Sequence, residues 1–349
     1  RELAAVRGFR YMDAATVAQQ PLKDVLRRVQ AVPSKDGIPD RMEAAAVLGG
    51  ASSEGIKVST ALDLYWTLAA DKALGKSEDQ LRRWRNPRVK AVKNFIAVVA
   101  DKPIAEITGD DMLDFRDWWF ERIAAGEVSA NAANKDFIHF GDVLKTVNKM
   151  KRLGLVLPFS DLSFKEGEPG KRPPFSVKFI TEKLLAPGAL AGLNLEAGAI
   201  LLAMVNTGAR PSELAGLTSE CIRLDHKVPH ISIEPVGRQL KSHNARRVIA
   251  LAGVSLDALK AFPNGFPRYR KSPAGLSATV NKFLRANGLT ESPEHTLYGL
   301  RHAFEDRLLA AGVDERIRRD LLGHALNRER YGDGASLEHL RDIVTKIAL

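Results

Sequence analysis

Apolar residues recur at helical spacing along most of the chain, and the breaks between these runs divide it. Over the first fifty residues Val17, Leu22, Val25, Leu26 and Val29 keep a helical period in pieces, interrupted by Pro21, Pro33 and Pro39, which predicts a small helical appendage at 1–56. From Ser59, a residue type that caps helix N-termini, the run Ala61, Leu62, Leu64, Tyr65, Leu68 and Ala69 predicts an amphipathic helix. Further helices are predicted near 77–99, 109–125 and 130–153. Asp110 and Asp111 open the one at 109, where carboxylates suit the positive end of the helix dipole. Residues 57–165 therefore read as a four-helix module. The stretch Lys165-Glu-Gly-Glu-Pro-Gly-Lys-Arg-Pro-Pro174 can propagate neither helix nor strand, which predicts a linker at 166–176. Helices are then predicted at about 180–187, at 195–207 and from Pro211, a residue suited to a first helical turn. The period then shortens, and Ile222–Leu224, Ile231–Ile233 and Val248–Leu251 predict a three-stranded antiparallel sheet. Helical patterning returns from about 276 and ends in a tail helix capped by Ser336, with Leu337, Leu340, Val344 and Ile347 as its apolar stripe. The fold class expected is mainly α with a small antiparallel β-sheet, a helical domain leading into a mixed α/β domain at 177–349.

Composition narrows what such a fold can do. No window approaches the length of apolar residues that crosses a bilayer, and no charged start leads into an apolar signal stretch, so a soluble, cytoplasmic protein is expected. The arginine at position 1 predicts a trimmed or processed chain. Cys221 is the only cysteine, which excludes an internal disulfide and a thiolate zinc site. The net charge of +10 is unevenly placed: residues 1–170 carry +2 and residues 171–349 carry +8. A basic field of this kind favours a polyanionic partner, because each phosphate neutralised by Lys or Arg releases counterions.

Candidate chemistry lies in the second half. Gly208-Ala-Arg-Pro-Ser-Glu-Leu214 places Arg210 at a turn between two helices, with Glu213 on the second. Gly237-Arg-Gln-Leu-Lys-Ser-His-Asn-Ala-Arg-Arg-Val-Ile249 sets Lys241 before a turn between two strands, followed by Arg246 and Arg247. Thr296-Leu-Tyr-Gly-Leu-Arg-His-Ala-Phe304 contains Tyr298, Arg301 and His302, and Leu321-Leu-Gly-His-Ala-Leu-Asn-Arg-Glu-Arg-Tyr331 contains His324 and Tyr331. In order and spacing this set resembles the catalytic domain of the tyrosine recombinases, the phage-integrase family. The motifs cover roughly residues 175–335.

The resemblance implies that Arg210, Lys241, Arg301 and His324 surround one scissile DNA phosphate, which Tyr331 attacks. Guanidinium suits such a place because its planar fork matches two phosphate oxygens and stays charged. Lys241 would protonate the departing 5′ oxygen, which leaves poorly as an alkoxide. Glu213 reads either as a carboxylate that orients the site or as an ordinary charge at a helix N-terminus. Tyr298 departs from the family pattern, which has a histidine there. A phenol can donate a hydrogen bond to a phosphate oxygen but is the poorer base at neutral pH. His295 lies three residues too early to substitute, and His302 reads as a hydrogen-bonded helix residue beside the site.

The resemblance further implies a core-binding domain at 57–165 and a chemistry that needs neither metal, ATP nor other cofactor. Arg82, Arg83, Arg85, Arg88, Lys90 and Lys93 are its best local support, although a solvated helix face accounts for that run as well. Arg246 and Arg247 serve either the fold or neighbouring phosphates. The expected activity is site-specific recombination or integration of double-stranded DNA through a 3′-phosphotyrosyl link, on DNA as a homo-tetramer and off it as a monomer or weak oligomer. The tail helix packs either on its own domain or, as the resemblance implies, on a neighbouring protomer. A type IB topoisomerase-like relaxing enzyme and a noncatalytic DNA-binding regulator on the same scaffold remain the alternatives.

Overall fold

The computed structural model describes residues 2–35, 37–50, 55–168, 170, 172–326, 329 and 332–349. It is mainly helical with a small antiparallel sheet, as the hydrophobic pattern requires. Contacts gather the chain into two units, Arg1–Ala70 with Pro87–Lys165 and Asp71–Asn86 with Glu166–Leu349.

The first unit opens with α1 (Glu2–Val6), α2 (Ala14–Ala18) and α3 (Leu22–Gln30). A two-stranded ribbon, β1 (Ser34–Lys35) with β2 (Ile38–Pro39), precedes α4 (Arg41–Leu48), whose first amides donate to the Asp40 carboxylate. Arg28 of α3 is buried and donates to the Val47 carbonyl at 2.8 Å and the Arg10 carbonyl at 3.1 Å, so one cation ties these short helices together. Then come α5 (Val58–Leu68), α6 (Glu78–Val98), α7 (Gly109–Ala124) and α8 (Ala130–Met150). Their core is aromatic: Phe95 stacks on Phe140 at 4.4 Å and meets Phe115 edge-on at 5.5 Å, all three fully buried. Ser59 does not cap α5. Lys57 stands at the cap position, and Asp101 accepts from the Ser59 amide at 2.9 Å and hydroxyl at 2.6 Å, so one free amide of that helix start is met from 42 residues away. Pro87 lies inside α6, and there the helix passes from one unit to the other.

The second unit takes the start of α6 and resumes with a short α9 (Val177–Phe179) that runs into a π-turn at Ile180–Leu184. The long helix α10 (Leu195–Thr207) and the short α11 (Pro211–Ala215) follow. The sheet has the order β3 (Ile222–Arg223), β4 (His230–Ile233), β5 (Arg247–Ala250), antiparallel throughout, with Ile231 facing both Ile222 and Ile249. The stretch 253–270, which the sequence pattern leaves unassigned, supplies α12 (Gly253–Ala261) and α13 (Pro267–Arg270). After them come α14 (Pro273–Ala286), α15 (Gly299–Ala310), α16 (Glu315–Leu322) and α17 (Leu337–Lys346). Helix α10 is buried over nearly its whole circumference, as its apolar sequence demands, and packs on α12 and α15.

Helix α17 is capped by the Ser336 hydroxyl, as its sequence predicts. It lies on its own unit: it packs on β5 and buries Val344 fully. The buried Arg307 of α15 donates to the Ile347 carbonyl at 2.6 Å, and Asn206 of α10 donates to the Leu349 carbonyl at 2.9 Å.

Candidate active site

The site is built from three turns, each fixed by local chemistry. The first ends α10 at Gly208, where φ is 57° and a Cβ would lie 2.3 Å from Phe304 Cδ1, so a side chain fails there on backbone and on space. Two residues on, Arg210 is locked to Glu213: its amide donates to Oε2 at 2.8 Å and its Nη1 to Oε1 at 2.6 Å. Glu213 is 5% exposed and takes a second guanidinium, that of Arg247, through Nη2 at 2.8 Å and Nη1 at 3.2 Å. Burial acts to raise this carboxyl, but Arg247 and then Arg210 outweigh it and hold it down at about 2. Arg210 Nε is buried and has no hydrogen-bond partner among the described residues.

The second turn is the start of α15. Its Phe304 packs against Gly208, and one helical turn earlier Arg301, 2% exposed, donates through Nη1 to the Gly208 carbonyl at 2.6 Å and through Nη2 to the Leu322 carbonyl at 2.5 Å. Arg301 Nη2 also lies 2.9 Å from His324 Nε2. A guanidinium has no acceptor, so Nε2 accepts and Nδ1 carries the imidazole proton. Burial first, then Arg301, Arg210, Arg319 and Arg247, push the His324 imidazole down to about 4 and keep it neutral at ordinary pH. Burial, followed by Arg210, lowers Arg301 to about 10, where it is still a cation.

The third turn ends α16 at Gly323, with φ 66°. A Cβ there would lie 2.8 Å from Arg247 Nη1 and 3.1 Å from Ala245 Cα. Arg247 also donates through Nε to the Leu321 carbonyl at 2.7 Å, so the Leu-Gly-His turn rests directly on the first residue of β5.

Lys241 is exposed on the β4–β5 connection and lines a cavity of about 340 Å³ together with Arg210, Ser212, Glu213, Arg238 and Trp84. Tyr298 caps α15 half-buried, its ring 5.3 Å from His302 and 5.5 Å from the Arg172 guanidinium. His295 is buried away from this group, hydrogen-bonded to the Pro174 carbonyl at 3.1 Å. Tyr331 lies outside the described residues. Among the described residues no three His, Cys, Asp or Glu side chains are grouped to hold a metal ion.

The basic candidates are treated unequally. Arg247 is turned inward on Glu213, whereas its neighbour Arg246 pairs with Glu234 at 2.8 Å and keeps 70% of its side chain exposed. Successive residues entering a strand face opposite ways, and the sequence does not show which arginine faces the core. Arg82 and Arg83 share Asp79 at 2.6 and 2.8 Å, and Arg85 and Lys93 are exposed. Lys90 sits over the Trp119 ring at 5.2 Å. Arg88 is directed inward to Asp142 at 2.7 Å and to the Tyr65 hydroxyl at 2.8 Å. Arg238, which sequence reasoning passed over, lies in the cavity wall, hydrogen-bonded to the Ser212 carbonyl, with its Nε unpartnered among the described residues. Its place three residues before Lys241 was the available signal.

The Arg210 turn and the Leu-Gly-His turn are thus joined through Arg301, which bonds the Gly208 carbonyl on one side and the Leu322 carbonyl and His324 on the other. The sequence profile of the phage integrase family matches residues 182–329, which hold Arg210, Lys241, Arg301 and His324. That segment matches the phage integrase, or tyrosine recombinase, family. It is 32% identical over 163 residues to the tyrosine recombinase XerC of Thermodesulfovibrio yellowstonii, a match that covers 42% of this chain and 53%, about half, of the relative's length. It is 28% identical over 239 residues to the tyrosine recombinase XerA of Pyrococcus horikoshii, covering 60% of this chain and 80% of that one. Among solved structures it resembles a lambda integrase dimer bound to a COC′ core site, at TM-score 0.56 and 15% identity over 83% of this chain and 78% of the other. It also resembles the Tn1549 transposon integrase in complex with transposon right end DNA, at TM-score 0.53 and 15% identity over 81% and 94%. At these identities the likeness to the solved integrases is one of fold. The integrase-family segment ends two residues before Tyr331.

Proposed function

We propose that this chain is a site-specific DNA recombinase or integrase that cleaves and rejoins strands through Tyr331. One observation carries the reading: Arg301 bonds the Gly208 carbonyl and His324 at once, so the Arg210 turn and the Leu-Gly-His turn, over a hundred residues apart in sequence, are held together by one guanidinium. In the reaction the Tyr331 hydroxyl oxygen attacks phosphorus, its proton passing to water, and a 3′-phosphotyrosyl bond forms as the bond to the 5′ oxygen breaks. Lys241 gives that oxygen its proton. Arg210, Arg301 and the Nδ1–H of His324 meet the charge that builds on the phosphate oxygens, with Tyr298 donating a further hydrogen bond. Glu213 holds Arg210 in place. The phosphotyrosyl bond keeps the energy of the broken one, so a 5′ hydroxyl from another strand can reverse the step without ATP. The cations do the work a divalent metal would otherwise do.

The partner is double-stranded DNA bearing two paired sites. A tetramer forms there, with α17 exchanging from its own unit to a neighbour, while the free protein stays monomeric or weakly associated.

The test is a nicked suicide duplex in excess EDTA. Wild type is expected to trap a covalent adduct and Tyr331→Phe none, with binding nearly equal. Adduct from the phenylalanine variant would place the nucleophile elsewhere. Absence of adduct from wild type on any duplex would favour a regulator, and relaxation without exchange between two defined sites would favour a topoisomerase-like enzyme.

A further inference from the structure

The loop that carries Lys241 is held by a residue with no chemistry of its own. Ser77 stands at the start of α6, and its amide donates to Gln80 Oε1 at 3.1 Å while the Gln80 amide bonds the Ser77 hydroxyl at 3.4 Å, the reciprocal arrangement of a capping box. The box fixes the Gln80 carboxamide, and the same carboxamide then takes both backbone groups of Gln239: Nε2 donates to the Gln239 carbonyl at 2.8 Å and Oε1 accepts from the Gln239 amide at 3.0 Å. The Gln239 side chain is held in turn, its Oε1 by Lys76 Nζ at 3.0 Å and its Nε2 on the Leu74 carbonyl. Two residues further on is Lys241. In this arrangement Lys241 and Arg210 line the same cavity, and Gln80 forms part of its wall.

We infer that Gln80 is a positioning residue for Lys241: by pinning the Gln239 backbone at two points it sets where the loop delivers the proton. The inference rests on the reading of Lys241 as general acid. A loop bearing a flexible ammonium loses rate when its backbone drifts, and a displacement of about 1 Å can cost on the order of a hundredfold. Other contacts of Gln80 would serve folding or DNA binding and would not distinguish one leaving group from another.

The experiment compares wild type, Gln80→Ala, Gln80→Glu, Lys241→Ala and the double variant Gln80→Ala/Lys241→Ala on two suicide duplexes, one ordinary and one with sulfur at the 5′-bridging position, which leaves without a proton. On the ordinary duplex Gln80→Ala is expected to cleave about ten- to a hundredfold more slowly, and on the sulfur duplex within about threefold of wild type. Gln80→Glu keeps the capping-box acceptor and sets a carboxylate oxygen against the Gln239 carbonyl in place of the donor, so it guards against loss of the helix start and is expected to show the same split. The double variant is expected to cleave the ordinary duplex no more slowly than Lys241→Ala alone. Equal slowing of both duplexes by the Gln80 variants, or additive losses in the double variant, overturns the inference while leaving Lys241 intact. Failure of the sulfur duplex to rescue Lys241→Ala removes Lys241 as the acid, and the inference falls with it.

Discussion

Two regions of this chain are rich in arginine, and only one gathers it. In α6 six cations occur within twelve residues, yet the side chains disperse: Arg82 and Arg83 onto Asp79, Arg88 onto Asp142, Lys90 over a tryptophan. Around Glu213 the cations come from three separate segments and converge, Arg210 and Arg247 on one carboxylate and Arg301 on His324. Density along a sequence therefore measures charge, whereas readiness for a phosphate depends on which donors the protein has already used. Helical spacing spreads neighbouring residues around a cylinder, and convergence needs turns from distant segments.

The comparison is broken most severely at Arg301. Arg301→Lys keeps the charge but loses the fork that spans Gly208, Leu322 and His324, and single-turnover adduct formation is expected to fall at least about a hundredfold. A comparable loss from Arg82→Ala would erase the distinction between the regions.

Next in size is the pH dependence of Glu213. Its carboxyl is ordinarily near 4.5 and is held at about 2 in the fold, so it contributes stability above pH 4.5 that is lost as pH falls from there toward 2. The contribution is about 3 kcal/mol. His324 adds a slope at higher pH. The folded state refuses the proton that the unfolded chain accepts, so stability falls as pH drops from 6.5 toward 4. Urea denaturation from pH 7 to pH 3 is expected to show both slopes, and in Glu213→Gln the loss below 4.5 is expected to be smaller than in wild type.

Arg88→Ala breaks a largely buried ion pair and is expected to cost about 2 kcal/mol in chemical denaturation while leaving adduct yield per folded molecule unchanged. The smallest effect is expected at Arg82→Ala: under about 0.5 kcal/mol in stability, because its side chain is 59% exposed. If Arg82 meets a DNA phosphate, the slope of log affinity against log salt drops by about one in filter binding.

Much of the fold was legible because its signals are local. Asn194 and Gly208 bracket α10, the shortened apolar period marks β3 to β5, and Ser336 starts α17 where its stripe predicts. Arg210 with Glu213 was legible as well, since three residues on a helical start bring them together. What escaped was nonlocal. Ser59 has the identity of a cap, but the capping carboxylate is Asp101. Arg246 and Arg247 are indistinguishable as letters, and only the pleat of β5 decides which of them reaches Glu213. Nothing near Arg307 in the sequence points to the Val205 and Ile347 carbonyls that the fold brings to it. The Ser77-x-x-Gln80 pattern was visible in the sequence, but the second use of its carboxamide was not.

Gly323 gives the site a spacing gauge. It offers no donor, no charge and no apolar surface, and an inventory of functional groups would pass over it. Yet a methyl group added there meets the Arg247 guanidinium and the Ala245 backbone, and its left-handed backbone disfavours any other residue. To admit that methyl the Arg247 guanidinium or the Ala245 backbone must shift, and this guanidinium is the one that holds both Glu213 and the Leu321 carbonyl. Mutational tolerance here is thus inverse to chemical content: the position with the least to contribute sets the gap between sheet and turn, and the reactive groups keep their distances only as long as it stays empty.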